Sequence, residues 1–191
     1  GTLHSPQGAI TFNSPLVGRF NVENLLAAIA TALHMGMSLK EVINRLPEFQ
    51  NVPGRVERVQ VSEEQDITVV VDYAHTPDSL ENLLKAMRPF TQRELICVFG
   101  CGGDRDRTKR PLMGGIAARL ADQVYVTSDN PRTEDPQRIL ADVEAGALVD
   151  IGDKPLIIEG DRRKCSEVAI ALAIAGDPVV MAGKGHGECR R

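Results

Sequence analysis

Several short segments of this sequence carry side chains suited to binding a charged small molecule. Arg105 stands within Gly100-Cys101-Gly102-Gly103-Asp104-Arg105-Asp106, and Arg132 closes Ser128-Asp129-Asn130-Pro131-Arg132. Each guanidinium is a planar fork that matches a carboxylate, while Asp129 and Asn130 can receive an ammonium group. Asp72-Tyr73-Ala74-His75-Thr76-Pro77 and Gly183-Lys184-Gly185-His186 add further polar and glycine positions. A zwitterion fits this set better than a phosphate chain does. The glycines invite a nucleotide reading, but the third glycine of G-x-G-x-x-G falls on Arg105. Gly185 also stands where a P-loop needs Ser or Thr, with no earlier glycine at the required offset.

Each feature has a plainer reading. Asp, Asn and Pro favour turns, so Asp129 to Arg132 could be a turn only. His75 and His186 could cap or pack, Lys184 could be an exposed charge, and Asn21 and Asn24 could cap a helix. The four histidines show no metal-ligand spacing.

The elements that would position these segments follow from local pattern. Ile67 to Asp72, Glu94 to Phe99, Gln123 to Thr127, Leu156 to Ile158 and Val179 to Met181 are short and apolar or β-branched, which predicts strands. Between them, Leu80, Leu83, Leu84 and Met87 recur at helical spacing behind Thr76-Pro77, and Asp135-Pro136 opens a second helix in the same way. Ala-rich stretches 111–121 and 164–175 predict two more. Strand and helix in alternation imply an α/β fold, a mostly parallel sheet with helices on both faces. Thr68-Val69-Val70-Val71 agrees, because a covered parallel sheet buries both faces. Ligands in such sheets bind beyond the carboxyl ends of the strands. Every segment named in the first paragraph follows a predicted strand.

The pattern changes near Pro53-Gly54. Before it, Val22, Leu25, Leu26, Ile29 and Leu33 mark one helix, and Ser38-Leu39-Lys40-Glu41 has the form of a capping box opening another. Two helices behind a polar extended segment do not bury a core alone, so they are expected to pack on sequence outside this chain. Residues 1–52 and 53–191 are therefore read as separate regions.

Composition narrows the function classes. The chain has 191 residues, 42% hydrophobic and 25% charged, the balance of a folded globular protein. A net charge of -4, five Phe, two Tyr and no Trp disfavour nucleic acid as a partner. The longest apolar stretch, Val168 to Ala175, is far shorter than the roughly 20 residues of a membrane span. No secretory signal opens the sequence, and the four cysteines form no C-x-x-C pair, so a cytoplasmic protein with free thiols is expected. The first residue is Gly and the chain stops at Arg191, which reads as a piece of something longer.

Taken together, Gly18-Arg19-Phe20-Asn21-Val22-Glu23-Asn24, Pro53-Gly54-Arg55-Val56-Glu57, Asp72 to Pro77, Gly100 to Asp106 with Lys109-Arg110-Pro111-Leu112-Met113, Asp129 to Arg132, and Gly183 to His186 resemble the Mur ligase family. The likeness is nearest to the branch that adds meso-diaminopimelate. It implies the end of the family's central ATP-binding domain in residues 1–52 and its amino-acid-binding C-terminal domain in residues 53–191. The implied reaction uses ATP and magnesium to activate the D-glutamate carboxylate of UDP-N-acetylmuramoyl-L-alanyl-D-glutamate as an acyl phosphate, which the amine of the incoming amino acid attacks. Peptidoglycan synthesis is the implied setting. By the same resemblance, Arg105, Asp129, Asn130, Pro131, Arg132 and Gly183 bind meso-diaminopimelate. Asn21 and Asn24 lie by the adenine, Arg55 near the phosphates and Asp72 near the ribose. Two alternatives stand beside this: a lysine-adding homologue, and an inert amino-acid-binding module. The family places Glu directly after Gly-Lys-Gly-His, where this sequence has Gly187, with Glu188 one residue later.

Overall fold

A computed structural model of the chain describes residues 1–14, 16–49 and 52–183. The chain divides into two compact units, Gly1–Val52 and Pro53–Arg191.

In the first unit, strands β1 (Thr2–Ser5) and β2 (Gly8–Thr11) form an antiparallel hairpin. Helix α1 (Arg19–His34) and helix α2 (Leu39–Arg45) follow. The capping box at the start of α2 is complete: Ser38 Oγ accepts from the Glu41 amide at 3.3 Å, and the Glu41 carboxylate accepts from the Ser38 amide at 2.9 Å. Helix α1 opens at Arg19 behind Gly18, whose φ of 95° suits glycine, so Asn21 and Asn24 lie inside the helix rather than capping it. The helix pair also has a local partner that the sequence did not reveal. Leu3 of the hairpin joins Leu25, Ile29, Leu39, Val42, Ile43 and Leu46 in one buried cluster, with Ile10 and Phe12 packed against it. The two helices thus bury a small cluster together with the hairpin that precedes them.

The second unit is an α/β sandwich. Its elements run β3 (Glu57–Val59), β4 (Thr68–Asp72), α3 (Pro77–Met87), β5 (Ile96–Phe99), α4 (Lys109–Leu120), β6 (Gln123–Thr127), α5 (Pro136–Asp150), β7 (Leu156–Glu159), α6 (Arg162–Leu172) and β8 (Pro178–Ala182). The sheet order is β3-β4-β8-β5-β6-β7. All neighbouring pairs are parallel except β3 with β4, an antiparallel edge pairing that the sequence pattern did not announce.

Side chains alternate between the faces of this sheet. Val69, Ile96, Val98, Tyr125 and Val179 pack with Cys165 and Ala169 of α6, and α3, α4 and α5 pack side by side as the other layer. Helices α4 and α5 touch backbone to backbone: a Cβ on Gly114 would sit 2.1 Å from the Val143 carbonyl oxygen, and one on Gly146 would sit 2.0 Å from that of Pro111. The last strand enters the slot between β4 and β5. Because β4, β8, β5 and β6 are adjacent and parallel, their carboxyl ends gather at one edge of the sheet. None of the helices among the described residues is long and apolar enough to cross a membrane.

Candidate functional site

The glycines after β5 serve backbone contact. A Cβ on Gly100 would lie 2.3 Å from the Thr127 carbonyl oxygen, and one on Gly103 would lie 1.9 Å from that of Pro131. The Gly103 amide donates to the Asn130 carbonyl at 2.8 Å. Only glycine lets the loop after β5 lie directly on the loop after β6. Two non-glycine residues there hold a left-handed backbone, Asp104 at φ 51° and Arg132 at φ 50°. The strain is held in place by specific bonds. Asp104 accepts from the Thr133 amide at 3.1 Å and from its hydroxyl at 2.8 Å, while the Arg132 guanidinium donates to the Gly103 carbonyl.

These loops wall a cavity of about 610 Å³, within the usual range for small-molecule sites. Arg105, Asp129, Asn130, Arg132 and Gly183 line it, and Tyr73, His75, Thr76 and Lys109 supply other parts of the wall. Pro131 is not among the lining residues; its carbonyl meets Gly103 instead. Gly183, at φ 100°, donates its amide to the Asp72 carbonyl at 3.0 Å, and a Cβ there would come 3.2 Å from Asp129 Oδ2. The turn lies further along than the sequence suggests: the Glu134 amide donates to the Pro131 carbonyl at 3.0 Å, closing a turn over Pro131 to Glu134, while the Arg132 amide donates to Asn130 Oδ1 at 3.3 Å. Asp129, Asn130 and Arg132 line the cavity, and only Arg132 also belongs to the turn. Among the described residues, Arg105, Arg132 and Asp129 form no ion pair within 4.0 Å, although the Asp129 carboxylate attracts the half-buried Arg162 guanidinium. Lys184, Gly185, His186 and Gly187 lie outside the described residues.

The four nucleotide candidates are not on this wall. Asn21 and Asn24 belong to the first unit; Asn21 is buried, with Nδ2 donating to the Val17 carbonyl at 2.7 Å, and Asn24 is exposed. Asp72 is buried at the end of β4, where its two oxygens accept from the Val56 amide at 2.8 Å and the Ala74 amide at 2.7 Å. Burial pushes its carboxyl up despite these bonds. Arg55 is exposed, with its guanidinium 5.4 Å from the Tyr73 ring centre. Tyr73 in turn meets the His75 ring edge-on at 5.1 Å.

The sequence carries no sign of a role for Arg110, which stands there only as part of a motif, or for Glu134. Arg110 is fully buried, donating to Asp142 at 2.9 Å and to Glu134 at 2.7 Å. Glu134 also accepts from the Asp104 amide at 2.6 Å. Hydrogen bonding to Arg110, with that amide, brings the Glu134 carboxyl down to about 2. Nothing in the local sequence separates Arg110, the second residue of α4, from the charged residues around it. Cys97 and Cys101 are buried free thiols, pushed up to about 12 and about 11, so they serve packing and not nucleophilic chemistry.

Residues 54–185 match the family described as Mur ligase, glutamate ligase domain. Over 97% of its length the chain is 61% identical to a UDP-N-acetylmuramoyl-L-alanyl-D-glutamate--2,6-diaminopimelate ligase of Nostoc sp. and 62% identical to one of Thermosynechococcus vestitus. It spans 37% of each of these relatives. A solved structure of a ligase with the same printed name superposes with a TM-score of 0.67 at 45% identity, covering 97% of this chain and 37% of the other. A folylpolyglutamate synthase of Mycobacterium tuberculosis, at 23% identity and TM-score 0.74, shares the fold. With the family match over most of its length and relatives at this identity, the chain belongs to the Mur ligase family.

Proposed function

We propose that this chain is the amino-acid-binding part of an ATP-dependent ligase that joins meso-diaminopimelate to the D-glutamate of UDP-N-acetylmuramoyl-L-alanyl-D-glutamate in peptidoglycan synthesis. The observation that carries the reading is the convergence of Arg105, Asp129, Asn130, Arg132 and Gly183 on one cavity, which places two guanidinium forks and a carboxylate in the same wall. Meso-diaminopimelate has two carboxylates and two amino groups. Lysine lacks the second carboxylate and would leave one fork without a partner.

The work assigned to this site is orientation. A carboxylate activated as an acyl phosphate still needs a neutral amine held at attack distance, and positioning of that kind is worth several orders of magnitude in rate. Arg105 and Arg132 take carboxylates and Asp129 takes an ammonium group. Asn130, with its side chain accepting from the Arg132 amide, holds the second fork in place.

ATP and magnesium belong to this reading as the reaction's phosphoryl donor and its metal. Asn21, Asn24, Arg55 and Asp72 are the candidates by the nucleotide, Asn24 and Arg55 with exposed side chains and Asp72 through the shape of the strand exit it fixes. Among the described residues, no group of three His, Cys, Asp or Glu side chains is placed to hold a metal ion. The chain spans 37% of such a relative, and on this reading the phosphate-binding sequence lies in the part that it does not span. A cytoplasmic location accompanies a nucleotide-linked substrate.

Phosphate release assayed with ATP, the UDP-linked dipeptide and either diaminopimelate or lysine tests the proposal. The full-length protein should turn over with diaminopimelate and hardly with lysine, and the 191-residue chain alone should be inactive and bind ATP feebly. Equal use of lysine would support the lysine-adding alternative. Micromolar ATP binding by the chain alone, lost in Asn24→Ala, would show the nucleotide site to be misplaced.

A further inference from the structure

We infer that Glu134 is a positioning residue for amino-acid recognition: it ties the loop that carries Arg105 to the buried Arg110 and so fixes the spacing between the Arg105 and Arg132 forks. The inference rests on the proposed reading of the cavity as a diaminopimelate site.

The anchor is Arg110. Its guanidinium is buried on α4, a helix locked to α5 through the close approaches of Gly114 and Gly146, and Asp142 of α5 takes Nη1 at 2.9 Å. Glu134 Oε1 accepts from Arg110 Nη2 at 2.7 Å and also from the Asp104 amide at 2.6 Å, one residue before Arg105. The return connection runs the other way, since the Asp104 carboxylate accepts from the amide and hydroxyl of Thr133, directly after Arg132. Asp104 and the Thr133-Glu134 pair are therefore clasped reciprocally.

The clasp holds two residues in unfavourable backbone conformations, Asp104 at φ 51° and Arg132 at φ 50°. Released from it, both loops would relax toward ordinary backbone and the forks would part. A ligand with one carboxylate needs one fork, and a ligand with two needs both at a set separation. Loosening the clasp should therefore cost diaminopimelate more than lysine.

Glu134→Gln and Asp142→Asn form a matched pair for the test in the full-length protein. Each removes one carboxylate from Arg110; Glu134 also accepts from the backbone amide of Asp104 beside Arg105, whereas Asp142 meets that connection only through the exposed Arg107 side chain at 3.3 Å. Glu134→Gln should raise the KM for diaminopimelate about tenfold or more, lower the preference over lysine, and leave the KM for ATP within about twofold. Asp142→Asn should lower the melting temperature to a similar degree with less than about threefold change in either amino-acid KM. An unchanged diaminopimelate KM in Glu134→Gln, or an equal rise in Asp142→Asn, would overturn the positioning role while the functional reading stands. A wild-type enzyme that releases no phosphate with diaminopimelate would overturn the functional reading and this inference with it.

Discussion

Gly103 and Pro131 are in backbone contact: a Cβ at position 103 would stand 1.9 Å from the Pro131 carbonyl oxygen. The two loops that carry the carboxylate forks thus rest on each other with no side chain between them. Gly103→Ala must push them apart, and overpacking of this kind costs about 1–3 kcal/mol. The expected outcome is a lower melting temperature together with a loss of diaminopimelate affinity that exceeds any loss for ATP. A Gly103→Ala enzyme with unaltered diaminopimelate KM would mean that the contact is incidental to binding.

Arg132 is expected to select diaminopimelate over lysine. A charge-assisted hydrogen bond contributes about 1.5–3 kcal/mol, which corresponds to about tenfold to more than a hundredfold in preference. Arg132→Ala in the full-length protein should raise the diaminopimelate KM strongly and leave that for ATP nearly unchanged. Arg132→Lys should restore little, because an ammonium cannot reproduce a bidentate fork. The Gly103 carbonyl, which Arg132 also engages, would lose its partner in Arg132→Ala. An unchanged ratio of diaminopimelate to lysine use would leave Asp129 to Arg132 with a structural role alone.

Much of this arrangement is legible in the residues alone, for identifiable reasons. The strand at Gln123–Thr127 coincides with its prediction because it lies inside the sheet and is apolar along most of its length. Thr76-Pro77 and Asp135-Pro136 mark helix starts through local chemistry, and both helices begin at the proline. What the sequence hides is long-range or short. Strand β3 has three residues, too few to display a period, and lies at the sheet edge. The insertion of β8 between β4 and β5 depends on packing between segments far apart in the chain. Arg110 and Glu134 look like surface charges until the fold buries one against the other. Leu3 looks like an isolated apolar residue until the hairpin turns it onto α1 and α2.

The two units should differ in local stability. The first unit relies on a small cluster of seven buried side chains, and the second encloses a covered sheet whose β5 residues are all buried. Hydrogen exchange tracks such differences, because thinly packed segments open without global unfolding. Amides of α1 and α2 should therefore exchange well before those of β5, β6 and β8 in the chain studied alone. Equal protection of α1 and β5 would argue against independent folding of residues 53–191.

The Arg110 and Glu134 pair predicts a specific acid response. The Glu134 carboxyl is drawn from its ordinary value of 4.5 to about 2, chiefly by the hydrogen bond from Arg110 and then by the Asp104 amide. With the folded value below the unfolded one, the unfolded chain binds the extra proton first as pH falls. The stabilising contribution is thus complete above 4.5 and fades as pH drops from there toward about 2. Asp142, lowered first by its own bond to Arg110, adds to the same acid limb. Glu134→Gln removes this group's share of the slope. Its stability deficit against wild type should therefore be largest near neutral pH and shrink as the pH approaches 2, read from denaturant midpoints across that range. A deficit that stayed constant with pH would show that Glu134 contributes through packing alone and that its charge does not hold the two loops together.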